Sequence, residues 1–140
     1  MIVLDTNLLS ELMRARPDER VMTWFADQPP AGLFTTTLTQ AEIFFGIALL
    51  PEGRRRDDLM AAALPMFDVD LAGRVLAFDG DAATAYPAIA AGRKLASRPI
   101  SEIDAQIAAI VRSRGARLAT RNHLDFAGCG IEIINPWGEG

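Results

Sequence analysis

Cysteine, histidine and lysine each occur once in this 140-residue chain. A lone Cys129 excludes an internal disulfide and any multi-cysteine zinc site. Catalysis by a thiol–imidazole pair would require Cys129 to meet His123, and nothing in their flanks suggests that it does. Any metal must therefore be held by oxygen, which favours magnesium or manganese over zinc. Long apolar runs are missing too. The longest, residues 43–50, is interrupted by Gly46 and closed by Pro51, far short of the ~20 residues of a membrane span. The opening Met-Ile-Val-Leu-Asp has no basic leader ahead of its apolar residues. A cleavable signal peptide is thus unsupported, and a cytoplasmic protein without a membrane partner is expected. No Gly-rich phosphate loop is visible, so nucleotide hydrolysis and hydride transfer lack their motif.

Half of the residues are hydrophobic and 23% are charged, so the chain can bury roughly two thirds of its unfolded surface in one core. This excludes disorder as the main state and points to one domain spanning residues 1–140. Eighteen acids against 14 bases leave a net charge of -4 and a pI near 4.9. Such a balance argues against a nonspecific nucleic-acid coat, which usually carries basic excess. It does not argue against a nuclease, because an active site built of carboxylates lowers the pI by itself.

Ile2-Val3-Leu4 is a short β-branched run that stops at Asp5, and residues 7–14 then show helical apolar spacing at Leu8, Leu9, Leu12 and Met13. Val21, Trp24 and Phe25 give a second helical face before Gln28-Pro29-Pro30 breaks it. Residues 33–36 read as a strand, and residues 39–50 and 53–66 as helices. Residues 75–78 read as a third strand, followed from Asp81 by an alanine-rich helical stretch in which Pro87 marks either the first turn or a kink. Residues 101–114 are the clearest helix, with Ile103, Ile107, Ile110 and Val111 as an apolar stripe and Gly115 as its stop. Residues 118–120 and 131–134 supply two more strands. Strands alternating with helices predict an α/β fold with a parallel sheet covered on both faces. Ligand sites in such sheets lie beyond the carboxyl ends of the strands.

An acid or its amide follows a strand or opens a helix at Asp5, Glu42, Asp104 and the pair Asn122 with Asp125. Each has a structural reading by itself. Residues 39–42 and 101–104 have the spacing of a capping box or its near relative, and Asn7 and Asn122 could be plain N-caps, the latter with Asp125 as reciprocal partner. Together they imply more. Helix N-termini keep nearby carboxylates ionised, and several ionised acids on one sheet edge repel each other unless a cation or wide separation removes the cost. Magnesium, with oxygen ligands and retained waters, meets that demand, and a metal-activated water is the natural nucleophile.

The opening Ile2-Val3-Leu4-Asp5-Thr6-Asn7, the stretch Thr39-Gln40-Ala41-Glu42 followed by Gly46, the run from Ile103-Asp104-Ala105 to Ala109, and the segment Leu118-Ala119-Thr120-Arg121-Asn122-His123-Leu124-Asp125-Phe126 are similar to the four signature segments of PIN domains. In order, spacing and length the chain resembles toxin ribonucleases of the VapC type, and Asn135-Pro136-Trp137 makes the FitB-like branch the closest match. The resemblance implies a three-layer α/β/α PIN-like domain with a central parallel sheet of four to five strands. It implies a Mg2+- or Mn2+-dependent endoribonuclease leaving a 5′-phosphate and a 3′-hydroxyl. It also implies a small antitoxin that blocks the site and carries the contacts to operator DNA, and a homodimer. Carried over residue by residue, Asp5 and Asp104 would be the principal metal ligands, and Glu42 a further acid beside them. Asn122 falls where many relatives have a fourth aspartate, which leaves Asp125 as the nearest substitute charge. Thr6, Asn7 and Thr120 align with polar residues that orient ligands and water.

Thirteen of the 14 basic residues are arginine, whose planar fork suits phosphate. Arg121, beside Asn122, is the first candidate for gripping a substrate phosphate, and Arg14 with Arg16 comes next. Arg54-Arg55-Arg56 precedes Asp57-Asp58 and reads as a solvated helix start. His123 reads as a solvent-facing loop residue, Trp137 as a buried tail residue. Phe44, Phe45, Ile47 and Leu49 give their helix apolar groups on more than one face, which an antitoxin or a second subunit would cover. A phospho-receiver domain would need a paired acid near the first strand and a late lysine; a haloacid-dehalogenase-type phosphatase would need an aspartate where Asn7 stands. Both fail. The remaining alternative is a noncatalytic interaction subunit that binds an antitoxin and supports its operator binding, with the acids kept as caps.

Overall fold

Buried on both faces, Ile2–Leu4 (β1) carries three apolar residues in succession, as a central parallel strand must. The computed structural model describes residues 1–138. After β1 come the helices Thr6–Leu12 (α1) and Glu19–Ala26 (α2), the strand Leu33–Thr36 (β2), and the helices Thr37–Ala48 (α3) and Arg54–Pro65 (α4). Then follow the strand Val75–Leu76 (β3), the helices Gly80–Leu95 (α5) and Glu102–Ser113 (α6), and the strands Arg117–Ala119 (β4) and Glu132–Ile134 (β5).

The five strands form one sheet in the order β3-β2-β1-β4-β5, and every neighbouring pair is parallel. Register puts Ile2 beside both Leu33 and Arg117, and Leu4 beside Ala119. Side chains along β1 and β4 alternate between two cores. Val3 and Leu118 join α5 and α6 through Ala82, Ile89 and Ile107. Ile2, Leu4 and Ala119 face the other way onto Leu8, Leu9, Val21, Ile43 and Ile47 of α1, α2 and α3. Helices thus cover both faces, and the expected three-layer α/β architecture is what the chain adopts.

Several local expectations are corrected. Residues 75–78 pair over two positions only, because β3 is an edge strand bonded to β2 alone. Pro87 does not open its helix. Asp79 caps α5 by accepting the Ala82 N–H at 3.0 Å, and the helix runs on through an exposed Pro87 to Leu95, one lost donor being tolerable on a face wetted by solvent. Ile103 is not part of the buried stripe of α6, being 39% exposed.

The sheet order places a switch point between β1 and β4, since the chain leaves β1 towards β2 on one side and returns to β4 on the other. Ligands in open parallel sheets bind at the carboxyl ends flanking such a crevice. Asp5 directly follows β1, and Thr120 directly follows β4.

Candidate active site

Asp5 continues the β1–β4 ladder through its N–H to Ala119 O at 3.0 Å and then turns the chain into α1. It is the N-cap of that helix, so the role offered for Asn7 belongs to Asp5. Its Oδ1 accepts the Thr6 N–H at 2.8 Å and its Oδ2 the Thr120 hydroxyl at 2.7 Å. Only 4% of the residue is exposed. Burial pushes its carboxyl up to about 6; the Thr120 and Thr6 hydrogen bonds oppose the rise, and the charges of Asp104 and Glu42 add to it.

Thr120 is fully used. Besides donating to Asp5, its oxygen accepts from Asn7 Nδ2 and from the Asn122 N–H, both at 3.1 Å. Asn7 Oδ1 in turn accepts the Arg121 N–H at 3.3 Å. The loop after β4 is thereby tied to α1 across more than a hundred residues of sequence. Thr6 does the same towards α3: its hydroxyl donates to Glu42 Oε1 at 2.7 Å, and its oxygen lies 3.0 Å from the Thr39 hydroxyl. Glu42 is therefore not the far end of a capping box at Thr39. The cap of α3 is Thr36, whose hydroxyl accepts the Thr39 N–H at 3.0 Å. Thr6, Asn7 and Thr120, named from the sequence as orienting residues, all lie in this network.

Asp104 sits in the first turn of α6, where Ser101 caps the helix by accepting its N–H at 3.2 Å. Its carboxyl is raised, first by burial and then by the charges of Asp125 and Glu42, while Ser101 and the cation of Arg93 pull the other way. Asp125 and Asn122 are exposed and lie in a loop of turns rather than at a helix start, so the proposed reciprocal cap is not formed. The Asp125 N–H goes to Asn122 O at 3.0 Å.

That loop has an anchor the sequence did not reveal. Arg93, in the last turn of α5, is only 8% exposed. Its Nη1 donates to Asp125 O at 2.7 Å and Ala127 O at 3.0 Å, and its Nε to Arg98 O at 2.6 Å. A single guanidinium thus fastens the Asp125 segment by its backbone. In sequence Arg93 stands in a solvated-looking cluster with Lys94 and Arg98, and only its helical offset from the buried Ile89 hints at burial.

Arg121 lies over Trp137, its guanidinium carbon 5.4 Å from the ring centre, an attractive stacking of cation on indole. Trp137 itself is buried, as expected of the tail. Arg14 pairs with Glu11 at 3.2 Å and remains 66% exposed. His123 is exposed in the loop.

Asp5 feels the charges of Asp104 and Glu42, and Asp104 those of Asp125 and Glu42, so acids from four separate segments are linked through Asp104. Among the described residues no three acids form a preassembled tight ligand cluster. Even so, the donor set suits a hard divalent cation: carboxylate oxygens supported by hydroxyls, with no basic side chain hydrogen-bonded to any of the four carboxylates among the described residues. A cation bound there would offset the acidic charges that add to the effect of burial on Asp5 and Asp104.

The PIN domain model matches residues 2–127. The chain is 42% identical over 141 residues to the VapC ribonuclease Y4jK of Sinorhizobium fredii, covering 98% of each protein. It is 34% identical over 141 residues to the toxin FitB of Neisseria gonorrhoeae, covering 98% of this chain and 99% of that protein. Among solved structures, FitAB bound to an IR36 DNA fragment superposes with a TM-score of 0.92 at 32% identity, over 100% of this chain and 98% of the other. Fold, order of acid-bearing segments and these matches agree, and the resemblance read from the residues holds: the chain belongs to the PIN-domain family.

Proposed function

We propose that this protein is a Mg2+- or Mn2+-dependent endoribonuclease that acts as the toxin of a toxin–antitoxin pair. The observation that carries this reading is the Asp5 carboxyl at the end of β1, raised first by burial and further by the charges of Asp104 and Glu42, which come from two other segments. The names and structures of the relatives above support it.

Asp5 and Asp104 are the residues that would hold the cation, with Glu42 and Asp125 contributing charge around it. Bound there, the cation supplies Lewis acidity towards a phosphodiester oxygen and the attacking water. The protein's own residues do the rest. Thr120 and the Thr6 N–H fix both oxygens of Asp5, so its carboxylate need not reorganise during the reaction. Thr6 holds Glu42 by the same logic. Asp125 supplies the negative charge that Asn122 lacks. Arg121, stacked on Trp137, and Arg14, held by Glu11, present guanidinium groups that suit a substrate phosphate.

By likeness to FitAB on its DNA, we assign to this chain a small antitoxin that makes the operator contacts, and a second copy as dimer partner. Phe45 on the last turn of α3 and Leu49 at its C-cap, 65% and 69% exposed, are apolar surface that such a partner would cover. No helix among the described residues is long and apolar enough to cross a membrane, and we place the protein in the cytoplasm.

Antitoxin-free protein incubated with structured RNA and Mn2+ tests the reading. Cleavage is expected, EDTA stops it, and Asp5→Asn or Asp104→Asn abolishes it. Intact RNA under all conditions would favour the noncatalytic subunit; cleavage surviving both substitutions would mean the site is wrong.

A further inference from the structure

Arg54 and Arg55, which the sequence presents as a solvated helix start, open α4 opposite the end of α1. There they line one groove together with Arg14 and Arg16. Asp58 is the only acid on that lining. The groove does not stop at the arginines. Arg14 and Arg55 also line an adjoining cavity whose far end is formed by Thr6 and Glu42, two members of the acid site. The two share Met13, Arg14, Arg55 and Leu59, so a path leads from Glu42, between Arg14 and Arg55, to Arg16 and Arg54.

We propose that this cleft is the track of a single RNA strand, with Arg14 and Arg55 holding phosphates next to the cut and Arg16 and Arg54 holding phosphates farther along. The inference rests on the ribonuclease reading above and adds to it the path that the substrate takes.

The charges in the cleft are available in a way that other arginines are not. Arg93 is consumed by backbone carbonyls, Arg20 is paired with Asp18 at 2.8 Å, and Arg114 reaches Asp79 at 3.5 Å. In the cleft, Arg54 meets Asp58 at 3.8 Å with 94% and 74% of the two side chains exposed, a solvated pair that gives way readily to a phosphate. Glu11, only 7% exposed, also accepts the Asp18 N–H at 3.1 Å. It acts as a fixed post steadying Arg14 while most of that side chain stays open to solvent. Gly53, the N-cap of α4, offers no side-chain acceptor, so the positive end of this helix adds to the potential at Arg54 and Arg55. Met13 and Leu59, shared by the two cavities, supply apolar surface against which ribose and base can lie. In a protein of net charge -4, four guanidinium groups along one cleft that ends at Glu42 are a local reversal of sign.

The test is binding of a fluorescent 12-nucleotide single-stranded RNA, read by anisotropy in EDTA so that no cleavage intervenes, over a range of salt concentrations. Each phosphate contact on a single strand adds about 0.7 to the slope of log affinity against log salt. The double variant Arg16→Gln/Arg54→Gln is therefore expected to lower the slope by about 1.4 and to weaken binding on the order of 10-fold at moderate salt. Arg16→Lys/Arg54→Lys, which keeps the charge, is expected to retain the slope. It distinguishes lost contacts from lost fold, as does an unchanged melting curve. Arg98→Gln/Arg117→Gln, which removes the same charge from exposed positions outside the cleft, is expected to leave the slope unchanged. Equal losses in the two glutamine doubles, or no loss in the first, would overturn the cleft. If wild-type protein still cuts RNA with Mn2+ in that case, the ribonuclease reading stands without this track. If wild-type protein neither binds nor cuts any RNA, both fall.

Discussion

The two sides of the acid site are held by opposite means. On the β1–β4 side the carboxylate itself is fixed: both oxygens of Asp5 accept short hydrogen bonds, and the residue is almost wholly buried. On the α6 side nothing among the described residues fixes the Asp125 carboxylate. Its backbone is fastened instead, by Arg93 reaching across from α5. The first arrangement stores electrostatic cost, because a buried carboxylate is kept where it would rather be protonated. The second depends on a loop staying where one guanidinium puts it. Substitutions on the two sides should therefore move stability in opposite directions.

The largest effect is expected at Arg93. Arg93→Ala leaves the carbonyls of Asp125, Ala127 and Arg98 without their donor and opens a cavity, so stability should fall by about 4 kcal/mol in urea denaturation. Arg93→Lys, which cannot fork to several carbonyls, should recover less than half of the loss. An unchanged midpoint would show that the loop is held by other means.

Asp5→Asn should do the reverse. With a folded value of about 6 against 3.8 for the free side chain, Asp5 binds its proton more tightly in the folded state. Its contribution to stability is then complete below about pH 4 and is lost as the pH rises through 6. The gap corresponds to about 3 kcal/mol. Measured in EDTA, the stability of Asp5→Asn minus that of wild type should grow by about 3 kcal/mol between pH 4 and pH 7. A flat difference, or one that shrinks, would mean that Asp5 serves only as the cap of α1. The smallest effect belongs to Ser101→Ala, which removes the N-cap of α6 and should cost about 1 kcal/mol in the same assay. A larger loss would imply that Ser101 also orders Asp104 beyond its helix.

The alternation of strands and helices was legible because apolar periodicity is local: Ile2-Val3-Leu4 and the Ile107, Ile110 and Val111 stripe need only their own neighbours to be read. The acids were legible as a set through their place after strands and at helix starts. Thr6, Asn7 and Thr120 were named through the family resemblance, but which acid each one holds, and the role of Arg93, were not legible, because those contacts link distant segments. Thr120 meets Asp5 across 115 positions, Thr6 meets Glu42 across 36, and Arg93 meets Asp125 across 32. Capping motifs misled where a nearer residue won the role: Thr36 displaced Thr39, and Asp5 displaced Asn7. Pro87 left two readings open, and the one in which it opens the helix fails because Asp79 takes the capping role eight residues earlier.

Whether acids from separate segments share one divalent cation is decided by calorimetric titration of Mn2+ into the protein at pH 7.5, without RNA or antitoxin. Wild type should bind the cation, and Asp5→Asn and Asp104→Asn, while still folded, should each bind it at least roughly 10-fold more weakly. Equal affinity in wild type and both variants would show that Asp5 and Asp104 hold no common cation.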